Sequence, residues 1–451
     1  MYICNENFIR KIIIYHCNFK NIHLGLFLFI VVLIVFIYSF QKWELVKFEA
    51  ISAIKMQFIF LLKISVMFTG IYFFSDYKGY GESSDIYSFF NAASRIIKNV
   101  STLEQFKIIF QIKTSNETTN FLNHLTYWKK DFDYGLPNDN QTMIKFSLFL
   151  NRIGINNYHT HALISTYISF VGVLILFKNL YIHSKQTLIN LLFITISPTL
   201  LFFCSGIYKE SILIFYIGIL IRILISKRKL IYLGLFILFY SLYPIKPYFF
   251  LIVTPAIIVF LFRKKINFKI SILLHSAFYI GLFFTFVFYS SFQEKNISKD
   301  DVKYGKVFDP IKMITYKQDD FLDDGFEKKS KLTKTHKVLE KNNTHIYSAI
   351  PIGIFCGWLQ PSLFNFSTKS FLLFSIEYFI LFILVVLFVV QIVRKKIVFN
   401  NELAFILIIC IVYSTFIGIT SPIIGNLIRF KTPIMPLIYY MISQINFKRL
   451  L

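Results

Sequence analysis

From Leu24 to Phe40 the chain reads LGLFLFIVVLIVFIYSF, 17 residues without a charge. An α-helix needs about 20 apolar residues to cross hydrocarbon, because inside lipid every backbone N–H and C=O must be paired within the segment. Comparable runs recur near 22–40, 56–74, 160–177, 187–203, 208–225, 229–243, 247–262, 270–292, 371–393, 401–420 and 433–447. They predict an all-α fold, a polytopic transmembrane helical bundle of about 11 spans, with residues 1–451 as a single integral membrane domain. Composition agrees: 56% of residues are hydrophobic, 55 are Phe, and no soluble core of this length hides that much apolar surface. The first run is too long for a signal peptide's apolar region and has no small-residue cleavage site after it, so no cleaved leader is expected.

The net charge is +24, yet the basic residues are scattered in short clusters at the ends of apolar runs, which argues against a nucleic-acid partner. The clusters Ser226–Lys229, Arg263–Lys265, Arg394–Lys396 and Lys448–Arg449 all fall on one side when spans are counted in order. The positive-inside rule makes that side, and the C-terminus, cytoplasmic. Residues 1–21 and the long segments 75–159 and 293–370 then lie outside. Arg10, Lys11 and Lys20 pull against that placement of the N-terminus, while Lys42, Lys47 and Lys55 favour it. Within 84–112, apolar residues at helical spacing (Ile86, Phe89, Phe90, Ala93, Ile96, Ile97) predict an amphipathic helix lying along the surface. Residues 293–345 read as a charged, partly mobile loop, and Ile350–Pro361 as a short re-entrant segment. Five cysteines (Cys4, Cys17, Cys204, Cys356, Cys410) show neither disulfide nor zinc spacing.

Ionisable residues gather at the predicted outer ends of the spans. Asp76, Glu82 and Asp85 follow the second, Lys209 and Glu210 open the fifth, Lys246 sits in YPIKPY, and Arg429 and Lys431 precede the last. Charges beside hydrocarbon are costly unless paired or hydrated, so each is a candidate functional residue. Each also has a structural reading. Lys209 and Glu210 suit an interface, Lys246 a hairpin tip, and Asp85 a helix cap for which Ser83 and Ser84 compete. The acidic run Asp319, Asp320, Asp323 and Asp324 offers oxygen ligands to a divalent cation but reads better as a solvated face. His159 and His161 lack a third metal ligand, and no Gly-rich nucleotide loop, nucleophile elbow or zinc-protease motif is present. Inside the spans, Lys63 and Arg222 are the main charges, and no transporter-type repeat appears.

Three stretches resemble the polytopic C-type glycosyltransferases, membrane enzymes that use polyprenyl-phosphate sugars. GESSDIYSFFNAASRI (81–96) resembles that family's first outer loop, SPTLLFFCSGIYKESILIFYIGIL (197–220) its Lys-Glu helix start, and IRFKTPIMPLIYY (428–440) the basic, proline-containing opening of a late span. The family's paired acidic arrangement is reduced to Asp85, with Glu82 three residues earlier. More weakly, the layout resembles O-antigen polymerase-like proteins. The resemblance implies a multi-pass protein of a bacterial inner membrane. It would transfer a sugar from a polyprenyl-phosphate-linked donor to a glycan or lipid acceptor on the non-cytoplasmic face. Asp85 would be general base, Lys209, Lys246, Arg429 and Lys431 phosphate contacts, and Glu210 and Glu82 orienting groups, with no metal and no cofactor. A repeat-unit polymerase would rest on the cations of both outer segments, and a transporter or flippase of lipid-linked glycans on charges at mid-membrane. The transferase reading expects Asp85, Lys209 and Arg429 to share one outward cavity open to lipid.

Overall fold

The computed structural model describes residues 6–44, 47, 51–73, 85–125, 127–129, 136–180, 191, 194–225, 231–263, 267–292, 298–327, 346–363, 371–397 and 399–445. Every element among them is a helix. Six helices are long and apolar enough to cross a membrane: Leu24–Lys42, Ala53–Tyr72, Tyr158–Leu180, Lys269–Phe286, Leu372–Val393 and Asn401–Thr420. They coincide with six of the predicted spans. The remaining predicted spans fall partly outside the described residues or on helices of 9 to 17 residues, such as Ile231–Leu242 and Met435–Ser443. At 1.5 Å per residue even the longest of these covers about 26 Å, short of a full hydrocarbon core.

The chain forms two compact units. The first comprises Met1–Lys129, Asn140–Phe170 and Ser205–Ser211. It contains α1 (Glu6–Lys42), α2 (Ala53–Tyr72), α3 (Asp85–Asn99), α4 (Thr102–Ile109), α5 (Asn116–Asn123), most of α6 (Asp139–Arg152) and the first half of α7 (Tyr158–Leu180). Aromatic rings hold its membrane helices together. Phe36 stacks on Tyr167 with centroids 3.7 Å apart, and Phe40, Phe60 and Phe170 meet pairwise at 5.5 Å. The hydroxyls of Ser39 and Tyr167 share a 2.6 Å hydrogen bond. Asn157 caps α7 by accepting from the Thr160 N–H at 3.1 Å, and a Cβ on Gly25 would meet its Nδ2 at 2.5 Å. The pairings 25 with 157, 36 with 167 and 40 with 170 make α1 and α7 parallel. Phe29–Phe68 and Phe40–Phe60 make α2 antiparallel to α1. The start of the α1 span, the end of α2 and the start of α7 therefore lie at one end of this unit.

The amphipathic stretch at 84–112 forms α3 and α4, broken at Val100 and Ser101. The apolar face of α3 (Phe89, Ala93, Ile96) is fully buried in protein rather than laid along a surface.

The second unit comprises Lys130–Asp139, Val171–Cys204 and Ile212–Leu451. Its helices are α8 (Pro198–Phe203), α9 (Lys209–Ile225), α10 (Ile231–Leu242), α11 (Pro247–Leu261), α12 (Phe268–Phe292), α13 (Lys299–Lys303), α14 (Pro310–Glu327), α15 (Ile346–Leu359), α16 (Leu372–Val393), α17 (Asn401–Thr420), α18 (Ile424–Lys431) and α19 (Met435–Ser443). The stretch read as re-entrant is α15, a helix laid against α17. Gly353 and Gly357 on α15 face Ser414 and Gly418 on α17 so closely that a side chain at Gly357 or Gly418 would collide with facing backbone. Small residues spaced this way let two membrane helices meet backbone to backbone. Gly172 and Gly218 do the same where the second half of α7 crosses α9; a Cβ on Gly172 would stand 2.5 Å from the Phe215 Cα.

Part of the charged segment 293–345 is also helical. Asp309 caps α14 by accepting from the N–H groups of Ile311 and Lys312, both at 3.1 Å. Ile311 and Ile314 then pack with Phe283 against Ala349 and Ile419, and the Gln318 amide donates to the Ile419 carbonyl. Asp320 pairs with Lys303 at 2.6 Å. A helix with one covered face explains why QDDFLDDGFE folds although half of it is charged. Residues 328–345, and the side chains of Asp323 and Asp324, lie outside the described residues.

Candidate functional site

The residues singled out in the sequence divide between the two units. In the first, Asp85 is the first residue of α3, one turn ahead of Phe89 on the same face. Its side chain, and all of Glu82 and Asp76, lie outside the described residues. Lys209 opens α9 and is 7% exposed. Its Nζ donates to Asn140 Oδ1 at 2.6 Å and stands 5.7 Å from the Phe89 ring centroid, which brings it to the turn of α3 that Asp85 begins. Glu210 is fully buried beside it in sequence.

In the second unit the YPIKPY and RFKTP motifs converge. Lys246, 2% exposed, donates to the Tyr248 hydroxyl at 2.6 Å and lies 4.2 Å from the Phe430 ring centroid. The Phe430 carbonyl accepts from the Tyr413 hydroxyl at 2.9 Å, fixing the end of α18 against α17. Lys431, 1% exposed, turns another way: its Nζ donates to the Gln360 carbonyl at 2.5 Å and sits 3.8 Å from the Tyr378 ring centroid. Arg429, which opens the RFKTP motif, is half-buried. Lys431 belongs to no candidate span. Burial pushes its amine from 10.5 down to about 7, and nearby Cys356 and Glu377 pull it part of the way back.

Glu377 is the residue that the sequence reading passed over. It is buried inside α16, a candidate membrane span. Its Oε1 accepts from the Ser197 hydroxyl and from the Tyr439 hydroxyl at 2.8 Å. Its Oε2 accepts from the Thr199 N–H at 3.0 Å and the Thr199 hydroxyl at 2.6 Å. Four donors occupy both oxygens, so the carboxylate serves as an anchor for three segments and has no lone pair spare for a substrate proton. A single acid in an otherwise uncharged helix of 22 residues is the local signal for it, since such a residue marks a site by default. Its partners at 197, 199 and 439 carry no local signal.

His161 is fully buried, with Nε2 2.6 Å from the Ile155 carbonyl and its ring edge-on to Phe90, as suits a helix-start residue. Among the described residues, no group of three or more His, Cys, Asp or Glu is arranged to hold a metal ion. Comparison with known proteins returns no matching family model, no similar curated protein and no similar solved structure.

Proposed function

We propose that this protein is a membrane glycosyltransferase of cell-surface glycan assembly, using a polyprenyl-phosphate-linked sugar on the non-cytoplasmic face. In this reading the short helices of the second unit complete about 11 spans, and the C-terminus is cytoplasmic in a bacterial inner membrane. The observation that carries it is the burial of Lys209, Lys246 and Lys431, at 7%, 2% and 1% exposure, in a chain that crosses a membrane. Cations are kept in such places at a cost that binding an anion offsets. Asp85 would take the proton of the acceptor hydroxyl as that oxygen bonds to the anomeric carbon. The bond from that carbon to the phosphate would break, with Lys209 of the first unit, and Lys246, Arg429 and Lys431 of the second, as the candidate phosphate contacts. Glu210 would orient Lys209.

A repeat-unit polymerase is the second reading. It is favoured by one observation: the predicted groups that meet in the second unit are cations and aromatic rings, while the carboxylate found near them is saturated by donors. Asp85→Asn and Lys209→Ala in the native host, scored by surface glycan, separate these. Loss with both supports the transferase. Loss with the lysine variant alone supports the polymerase, and normal glycan with both removes the two readings together.

A further inference from the structure

Among the described residues, the first unit carries an apolar face that stands exposed. On α4 and the turn after it, Leu103, Phe106 and Phe110 follow at helical spacing and are 66%, 41% and 66% exposed. The helix ends in a Schellman turn: Gln111 takes a left-handed backbone, with φ of 60°. Its N–H bonds to the Ile108 carbonyl at 3.3 Å, and the Ile112 N–H to the Lys107 carbonyl at 2.8 Å. In this motif the residue at the place of Ile112 commonly folds back onto the helix. Here it stays 58% exposed. At the end of α6, Phe149 and Ile153 are one turn apart and also exposed. The Arg152 guanidinium lies 5.4 Å from the Phe106 ring centroid, which joins the two pieces into one surface.

Side chains as bare as these occur elsewhere along the membrane span of α1, where Phe27 is 62% exposed. Two observations point to what covers them here. Asn157 sits against Gly25 beside the starts of the candidate spans in α1 and α7, and Ile153 precedes it by only four residues. Lys113 and Arg152 are exposed, while Glu104 is engaged by Lys107 at 2.6 Å, leaving a basic rim that complements anionic headgroups.

We propose that this face is an interfacial docking surface, burying its six apolar side chains at the headgroup boundary of the membrane the chain crosses, with Lys113 and Arg152 at the lipid phosphates. It stands independently of the catalytic reading above.

The test uses the full chain in nanodiscs of phosphatidylcholine with and without phosphatidylglycerol. A nitrobenzoxadiazole probe is placed on Phe110→Cys, with Asn120→Cys as an exposed polar control, after replacing Cys4 and Cys17 by Ser. The expected result is blue-shifted emission at 110, quenched several-fold more than at 120 by lipids bearing a nitroxide high on the acyl chain, and less by aqueous iodide. Lys113→Glu with Arg152→Glu should weaken lipid quenching only when phosphatidylglycerol is present. Iodide quenching at 110 equal to that at 120 overturns the proposal. So does shielding from iodide without nitroxide quenching, which marks a protein partner or a second copy. An unchanged response to the charge reversals overturns the headgroup contact. Leu103→Cys reads the same face if the Phe110 variant does not insert.

Discussion

The two units hold their helices together by different means. In the first, α1, α2 and α7 meet through large rings, with the Ser39–Tyr167 hydroxyl pair between α1 and α7 and the Gln57 amide donating to the Ile37 carbonyl between α2 and α1. In the second, α15 and α17 meet through glycines, and a buried carboxylate ties α8, α16 and α19. Lipid tails are as apolar as leucine, so neither unit gains from hiding apolar surface inside the bilayer. What remains is close packing and hydrogen bonding. Rings reach across a gap between helices and tolerate adjustment, whereas glycines remove the gap and tolerate none. The second unit should therefore be the more brittle of the two.

Paired substitutions test that contrast. Gly418→Leu drives a side chain into the Gly353 carbonyl and should abolish the folded protein. Phe60→Leu, which trims one ring of the first unit, should cost only about 1 kcal/mol. Detergent-titrated unfolding measures both, and equal losses would break the comparison.

Next in size, Glu377→Gln keeps the shape but turns an amide NH2 toward two donors and removes the charge. It should cost about 3 kcal/mol, against about 0.6 kcal/mol for Tyr167→Phe at the hydroxyl pair of the first unit. Thermal unfolding in bicelles reads both, and a smaller loss at Glu377 would mean that its four donors find other acceptors.

A further contrast lies in the dependence on pH. Lys431 has a folded-state value near 7, below its ordinary 10.5, so the unfolded chain binds the extra proton between those values. Stability should rise with pH across that window, by amounts Lys431→Met removes. An anion that binds the protonated amine should bind more tightly as pH falls through about 7, with the dependence lost in the same variant. Binding of inorganic pyrophosphate or a short prenyl phosphate, followed across that range, checks the sign. No comparable dependence is expected from the ring-packed helices of the first unit.

Much of this contrast was hidden in the sequence, for identifiable reasons. The six longest apolar runs announce themselves because about 20 residues without charge have few alternatives to a membrane helix. The glycines of IPIGIFCGWL were visible too, but read as interruptions, since the partner that makes them a packing face lies over 50 residues away on α17. Lys246 and the RFKTP motif stood out in the sequence as charges in costly places; their meeting around Phe430 required the fold. Glu377 disappeared because one acid barely lowers the hydropathy of a run such as LLFSIEYFILFILVV. The helix at 310–327 disappeared because its apolar residues are few and its charges many, and only the surfaces of α12 and α17 select one side of it.

The Glu377 network has a consequence for how the chain is made. Ser197 and Thr199 precede Glu377 by 180 and 178 residues, whereas Tyr439 follows it by 62. When α16 is made its carboxylate already has three of its four donors within the chain, and the fourth arrives only with α19. Synthesis thus delivers the charge after its shelter and before its lock. α19 closes the arrangement, so a chain truncated before Tyr439 would lack the clasp that joins it to residues about 240 positions earlier.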